Sequence, residues 1–256
     1  EEHHKLCLEA RDTDDERRLE ELLNYYDLQI VEMMALNENL SSDYLWRLFY
    51  IEANSSFNSV HSNLAQNPKT PCDLLKALAE EDDYRTKEHL AANPNCPLAV
   101  LKQLAACQST YVRAGVASNP NTPVYLLDYL SHDEDTYVLS CVAANQATSP
   151  TSLAVLFDAG ENSVNVGLAK NSRTPQAILS RLSVGADENL RRALLDNPNT
   201  PISDKRNLVQ GMDEVSSIIE QADFETDYQI LAQRIVDYGV NRPIDERNAT
   251  FAHYLA

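Results

Sequence analysis

The sequence Asn119-Pro120-Asn121-Thr122-Pro123 is one of six related motifs in this chain. The asparagine that opens each motif recurs every 26 residues, at Asn67, Asn93, Asn119, Asn145, Asn171 and Asn197. Self-similarity with a period of 20–50 residues is typical of stacked-repeat proteins. The sequence therefore predicts an array in which each repeat packs mainly on its two neighbours.

Each repeat begins with a pattern typical of a helix start. Counting from the asparagine as zero, position 3 is threonine in the regular repeats except the second, where it is Cys96, and position 4 is proline. A threonine hydroxyl can cap the free N–H groups of a helix, and proline at the first helical position leaves no N–H unpaired. In the fourth repeat the proline moves to Pro150 and Ser149 precedes it, which fits the same interpretation.

Two amphipathic patterns follow within each repeat. Apolar residues at positions 7, 8 and 11, such as Leu127, predict a short helix A. Positions 13–16 form an acidic turn, and apolar residues at positions 19 and 23, such as Val112, then predict a helix B. Position 22 is often small, as at Gly115, which would let neighbouring backbones approach closely. Helix B should end at the asparagine, whose amide we expect to be buried and bonded to backbone.

The regularity of this pattern divides the chain into four predicted regions. Asn37 precedes Asn67 by 30 residues instead of 26, and after residue 201 the apolar positions of helix A become polar. The predicted regions are an acidic N-terminal helical cap at 1–40, a divergent first repeat at 41–66, six helical repeats at 67–222, and a degenerate repeat with a C-terminal cap at 223–256.

The composition excludes several classes of function. The net charge is −18, and no cluster of lysine and arginine is present, which disfavours direct binding of nucleic acid. No run of 18 apolar residues exists, so no membrane span is predicted. Five cysteines without CxxC spacing favour neither a disulfide framework nor a zinc site, and they indicate a reducing cytoplasm.

Motifs of known chemistry are absent from the sequence. With six glycines in total, it contains no glycine-rich phosphate loop, nucleophile elbow or paired-carboxylate motif. The histidines fall at different positions of the repeat. We therefore predict a non-catalytic protein without a metal or cofactor.

Aromatic residues mark a candidate partner site. Tyrosines share position 18 in two successive repeats, two further tyrosines lie on the intervening helix A away from its leucines, and charged residues would form a polar rim. Tyrosine is common in binding hot spots. Two alternatives remain open: the rings could pack over the groove between helices, and the acids could merely cap helices. The candidate residues are Tyr111, Arg113, Tyr125, Tyr129, Asp133, Glu134, Asp135 and Tyr137.

The predicted function is a protein–protein interaction scaffold or adaptor that uses the surface of the array to bind a protein of unknown identity. The alternative is an acidic inhibitor, or nucleic-acid mimic, that blocks a basic site on its target. These two functions differ in salt dependence, because a charge mimic loses affinity steeply as salt rises.

The run from Val112 to Pro123, followed by Leu126, Leu127 and Leu130, resembles the leucine-rich repeat variant family. The resemblance covers about residues 67–201 and is specific for the type of repeat. It implies an all-α fold, a right-handed α-solenoid of short helix pairs, here with 26-residue repeats. Some family members hold an iron–sulfur centre with a cluster of N-terminal cysteines. Only Cys7 lies in that region here, so this cofactor is not expected.

Overall fold

A computed structural model describes residues 2–25, 27–51 and 59–210 of the chain. Every regular element within these ranges is an α-helix. The chain divides into two compact units, residues 1–147 and 148–256. The predicted degenerate repeat and C-terminal cap at 223–256 lie outside the described residues, and the other predicted region boundaries stay predictions.

The described part of the first unit contains eleven helices. In chain order they are α1 (Glu2–Asp12), α2 (Glu16–Leu23), α3 (Leu28–Ala35), α4 (Ser42–Ile51), α5 (Ser59–Gln66), α6 (Cys72–Ala79), α7 (Tyr84–Ala92), α8 (Leu98–Ala105), α9 (Thr110–Ser118), α10 (Val124–Leu130) and α11 (Thr136–Ala144).

The described part of the second unit contains five helices. They are α12 (Pro150–Asp158), α13 (Asn162–Lys170), α14 (Gln176–Ser183), α15 (Glu188–Asp196) and α16 (Ile202–Gln210).

The helices of each unit stack in the manner of a solenoid. In the first unit the odd-numbered helices from α1 to α11 pack one on the next and form the row of B helices. An A helix precedes each B helix from α3 onward and packs against it, as α8 packs on α9. In the second unit α13 packs on α15 in the same way, and α12 and α14 are the A helices that precede them. The predicted all-α solenoid of helix pairs with a 26-residue repeat is therefore confirmed.

The apolar positions predicted for both helices form the core. In helix A the buried side chains are Leu74, Leu75, Leu78, Val100, Leu101, Leu104, Leu126, Leu127, Leu130, Leu153, Leu156, Ile178, Leu179 and Leu182. In helix B they include Val112, Val116, Val138, Val142, Val164, Leu168, Leu190 and Leu194. Each helix has only seven to eleven residues, and a helix this short depends on such packing for its stability.

The threonine of the repeated motif does not cap helix A as the sequence had suggested. The N-cap of α10 is Pro123, in an extended conformation, and no side chain caps the helix. The hydroxyl of Thr122 instead donates to the carbonyl of Val116, 2.6 Å away in the preceding helix B. Thr70 and Thr174 bond in the same way. The buried hydroxyl thus gives a second hydrogen bond to a carbonyl at the end of α9, which also accepts from the N–H of Asn119 at 3.2 Å.

The fourth repeat is the exception, and there the predicted cap exists. Thr148 keeps the buried position three residues after Asn145. Ser149 therefore stands where the other repeats have proline. Its hydroxyl accepts a hydrogen bond from the N–H of Ser152 at 3.1 Å, and Pro150 occupies the first turn of α12. A serine N-cap followed by proline thus occurs once, and the interpretation was wrong for the regular repeats.

The helices of residues 1–40 resemble those of the repeats. α1 packs on α3 and α3 on α5, in the row of B helices. Asn37 is fully buried, and its amide donates to the carbonyls of Ala10 at 3.0 Å and Thr13 at 2.8 Å. The hydrogen bond from an asparagine amide to the preceding backbone is therefore already present at Asn37, before the regular 26-residue spacing starts.

Candidate functional site

The start of α11 is fixed by a side chain of the preceding turn. Asp135 is the N-cap of α11, and its carboxylate accepts from the N–H of Tyr137 at 2.9 Å. Its other carboxylate oxygen accepts from the hydroxyl of Thr110 at 3.0 Å, on the neighbouring α9. The first turns of α9 and α11 are therefore tied together at the point where Tyr111 and Tyr137 emerge.

Tyr111 and Tyr137 form an exposed pair of rings, called the tyrosine pair below. Their ring centroids are 6.2 Å apart, and their planes meet at 64°, an edge-to-face arrangement. Tyr111 is 65% exposed and Tyr137 is 53% exposed. The rings pack against each other but not into the core. The sequence placed them in equivalent positions of adjacent repeats, and the structure brings them into contact.

The other two candidate tyrosines lie on α10. Both are exposed, Tyr129 by 61%. The ring of Tyr125 contacts the ammonium group of Lys102, whose nitrogen lies 5.5 Å from the ring centroid. Among the described residues, neither of these rings contacts a ring of the tyrosine pair. The structure thus brings together only two of the four predicted tyrosines.

Arg113, which the sequence places in a polar rim, is bonded to other groups of the protein. Its guanidinium makes a bidentate ion pair with Asp133, with Nε–Oδ2 at 2.6 Å and Nη2–Oδ1 at 3.0 Å. The third nitrogen, Nη1, donates to the carbonyls of Cys107 and Gln108, both at 2.9 Å. The two side chains are only 12% and 8% exposed. This cluster ties successive turns together and engages all three nitrogens of the guanidinium.

The ion pair sets the protonation of both groups. Burial alone would raise the pKa of Asp133, but the hydrogen bonds from Arg113 and from the backbone N–H of Asp135 outweigh it and hold that pKa below its usual value. The bond to Asp133 raises the pKa of Arg113. Both groups are therefore charged at neutral pH.

The three predicted rim acids have separate roles. Asp133 is paired with Arg113, and Asp135 caps α11. Glu134, between them, is exposed. Within the part of the chain that the structure describes, no ion pair involves its carboxylate. Capping and pairing therefore account for two of the three acids, and Glu134 is the one available to a partner.

Tyr84 is a surface aromatic residue that was missed from the sequence. It lies in the first turn of α7 and is 53% exposed. The ammonium nitrogen of Lys87 lies over its ring, 5.8 Å from the ring centroid. Tyr84 stands at position 17 of its repeat, whereas Tyr111 stands at position 18. The two tyrosines therefore do not share a position in the repeat.

A second pair of low exposure, His61 and Glu81, was not predicted from the sequence. His61 is buried, and its Nδ1 lies 2.7 Å from a carboxylate oxygen of Glu81, while its Nε2 lies 3.0 Å from the carbonyl of Phe49. The imidazole also stacks on the Phe49 ring, with centroids 4.7 Å apart. This arrangement joins α4, α5 and the turn after α6, so it holds the repeats together.

Within the residues that the structure describes, no group of three or more histidine, cysteine or acidic side chains could hold a metal ion. No described helix is long and apolar enough to cross a membrane.

Comparison with known proteins places the fold. No protein-family model and no curated protein matches the chain. One solved structure, described as a leucine-rich repeat variant with a novel repetitive structural motif, matches with a TM-score of 0.52 and 23% sequence identity. The match covers 80% of this chain and 82% of that one. The resemblance noted in the sequence is therefore confirmed at the level of architecture, and the chain has the fold of a leucine-rich repeat variant.

Proposed function

We propose that the protein is a non-catalytic scaffold or adaptor that binds another protein through the surface around the tyrosine pair. The observation that supports this function is the exposure of two contacting aromatic rings on adjacent repeats. Tyrosine gives a binding site apolar area together with a polar hydroxyl, and it is enriched among residues that dominate binding energy.

The scaffold beneath these rings is well ordered by its hydrogen bonds. The capped start of α11 is joined to Thr110, and Arg113 is held by Asp133 and two carbonyls. A surface that is fixed before binding loses less conformational entropy when a partner docks. Such an arrangement suits recognition, since the rings need not be ordered by the partner.

The alternative of an acidic nucleic-acid mimic gains less support from the acidic turns. A mimic would need rows of free carboxylates in place of phosphates. Around the tyrosine pair, Asp133 is neutralised by Arg113 and Asp135 is bonded to Tyr137 and Thr110. The aromatic contact surface is therefore the better basis for the function that we propose.

The test is capture of partners with the wild-type chain and with a Tyr111→Ala/Tyr137→Ala variant. Both would be immobilised, exposed to native cell extract, and compared by quantitative mass spectrometry. We expect a partner whose recovery falls in the variant, and whose affinity for the purified variant is weaker by more than about 2 kcal/mol, the hot-spot scale.

Tyr25→Ala is the matched control, since Tyr25 is 56% exposed and lies elsewhere in the first unit. Thermal melts of all variants check that the fold survives. Recovery of every partner to the same extent by the folded double variant and the wild type would show that the tyrosine pair is not the binding site.

A further inference from the structure

The charge of the chain is concentrated in the unit that carries the tyrosine pair. Residues 1–147 contain 24 acidic and 11 basic side chains, whereas residues 148–256 contain 15 and 10. The first unit therefore has a net charge of −13, against −5 for the second. A field of this sign attracts cationic partners and repels anionic ones.

Three other tyrosines of this unit make cation–π contacts with basic side chains of the protein itself. Lys87 lies over Tyr84, Lys102 over Tyr125, and Arg47 over Tyr44, with distances of 5.8, 5.5 and 5.6 Å to the ring centroids. In each case a positive group sits against the electron-rich face of a tyrosine, an attraction worth about 0.5–1 kcal/mol at an exposed site.

The tyrosine pair is different, because no lysine or arginine of the described residues lies over either ring. The base nearest in sequence, Arg113, is committed to Asp133 and two carbonyls. Edge-to-face packing leaves ring faces open to solvent, and Tyr111 and Tyr137 are more than half exposed. Glu134, exposed in the turn before α11, adds an available carboxylate.

We infer that the tyrosine pair binds an arginine-rich segment of a partner protein, with guanidinium groups stacked on the rings of Tyr111 and Tyr137 and paired with Glu134. This inference rests on the proposed function and names the chemistry of the partner. Arginine fits better than lysine, because its planar group stacks on aromatic rings and also binds a carboxylate through two parallel hydrogen bonds.

The test uses a fluorescein-labelled peptide of alternating arginine and serine, and measures its binding to the full chain by fluorescence anisotropy at physiological ionic strength. In a matched peptide, citrulline replaces arginine, which removes the charge but keeps the planar shape. A third peptide carries lysine. We expect the arginine peptide to bind best, the lysine peptide to bind more weakly, and the citrulline peptide to lose about tenfold or more in affinity, as expected when cation–π contacts and a charge pair are lost.

The variants separate the rings from general electrostatic attraction. We expect Tyr111→Ala/Tyr137→Ala to raise the Kd of the arginine peptide about tenfold or more, and Tyr111→Phe/Tyr137→Phe to change it little, because phenylalanine keeps the ring face. Glu134→Gln should raise the Kd by about two- to fivefold, the effect of an exposed ion pair. Tyr25→Ala should leave the Kd unchanged.

Equal affinity for the arginine and citrulline peptides, or an unchanged Kd in the folded double alanine variant, would overturn the inference. The comparison of peptides uses only the wild-type chain, so it stands even if a variant fails to fold. A captured partner that depends on the tyrosine pair, but is not displaced by the arginine peptide, would contradict the inference while leaving the proposed function intact. If no captured partner depends on the tyrosine pair and the arginine peptide does not bind through it either, both the inference and the proposed function are contradicted.

Discussion

The side-chain amide of Asn119 donates a hydrogen bond to the backbone carbonyl of Asn93, 2.8 Å away and one repeat earlier in the chain. The same amide donates to the carbonyl of Ala91 at 2.7 Å, and its oxygen accepts from the N–H of Asn121 at 2.9 Å. Asn119 is 1% exposed. One buried side chain thus ends its own helix B, shapes the following turn and fastens the repeat to its predecessor.

This bond recurs along each unit and explains why the asparagine spacing is strict. In the first unit Asn67, Asn93 and Asn145 each donate to two carbonyls of the preceding repeat, and in the second unit Asn197 does the same. A repeat of a different length would move the amide away from these carbonyls. The prediction that Asn119 is buried and bonded to backbone is confirmed.

Replacing Asn119 should therefore destabilise the array. We expect Asn119→Ala to lower the free energy of unfolding by about 2–4 kcal/mol, since it removes three hydrogen bonds of a buried amide. The carbonyl of Ala91 and the N–H of Asn121 lose the partner that Asn119 gave them, while the carbonyl of Asn93 keeps the N–H of Cys96 at 3.0 Å. Asn119→Asp should cost a similar amount at neutral pH, because an ionised carboxylate accepts hydrogen bonds but donates none. Urea titrations measure both effects.

The matched control for this prediction is Asn121→Ala, two residues away. The amide of Asn121 also bonds to the preceding repeat, at the carbonyl of Pro94, but it is exposed. Its loss should cost about 1 kcal/mol or less, since water replaces the missing partner. Equal losses at positions 119 and 121 would show that burial of the amide is not what stabilises the stack.

The two faces of helix A should differ sharply in their contribution to stability. Leu127 is fully buried, whereas Tyr129, two residues later on the same helix, is mostly exposed. We expect Leu127→Ala to cost about 2–5 kcal/mol, and Tyr129→Ala to cost within about 0.5 kcal/mol, as for a typical surface substitution. Chemical denaturation of the two variants checks this, and equal losses would contradict the assignment of faces.

The fold was predictable because the 26-residue period and the apolar positions depend on local sequence. Leu127 and Val112 fall on the buried faces of helices A and B by spacing alone. The asparagine was predictable for the same reason, since it ends a helix next to a proline. The helical structure, the buried face and the repeat boundary each follow from the sequence of a single repeat.

Contacts between turns were not predictable in this way. Thr122 could cap the following helix or bond to the preceding one, and only the direction in which the chain turns at Pro123 decides between them. Arg113 could face a partner or Asp133, which lies 20 residues later. The spacing of residues along one helix does not determine which residues of the next repeat its side chains contact.

The contact between α7 and α9 depends on the absence of a side chain at Gly115. A Cβ added there would lie 2.9 Å from the Cβ of Ala91 and 3.4 Å from the carbonyl oxygen of Glu88. The Cβ of Ala91 is fixed by its backbone, so the two helices would have to separate. We expect Gly115→Ala to destabilise the protein by about 1–2 kcal/mol, because overpacking outweighs the gain of about 1 kcal/mol in helix propensity.

A double-mutant cycle tests this explanation. Ala91→Gly removes the atom that the new Cβ would meet, so the cost of combining it with Gly115→Ala should be smaller than the sum of the two single costs, by more than about 0.5 kcal/mol. Each variant would be measured by equilibrium unfolding in urea. If the losses in the free energy of unfolding were additive, the side chains at positions 91 and 115 would not be in steric conflict.

The ion pair of Arg113 and Asp133 should make the stability of the first unit depend on pH. The pKa of Asp133 is lower in the folded chain than in the unfolded chain. The deprotonated carboxylate therefore contributes stability above its unfolded pKa, about 3.9. That contribution falls as the pH drops below this value, and it is lost once the pH passes below the folded pKa.

We expect Asp133→Asn to lower the free energy of unfolding at neutral pH by about 2–3 kcal/mol, the scale of a hydrogen-bonded charge pair of low exposure. The difference between wild type and variant should shrink as the pH falls below about 4, because the protonated wild-type carboxyl then resembles the amide. Urea titrations at stepped pH measure this difference. Asp82→Asn serves as the control, since the Asp82 side chain is fully exposed and only weakly paired with Lys87 at 3.5 Å. A difference between wild type and Asp133→Asn that stayed constant down to the lowest pH at which the protein folds would show that the carboxylate charge of Asp133 does not stabilise these turns.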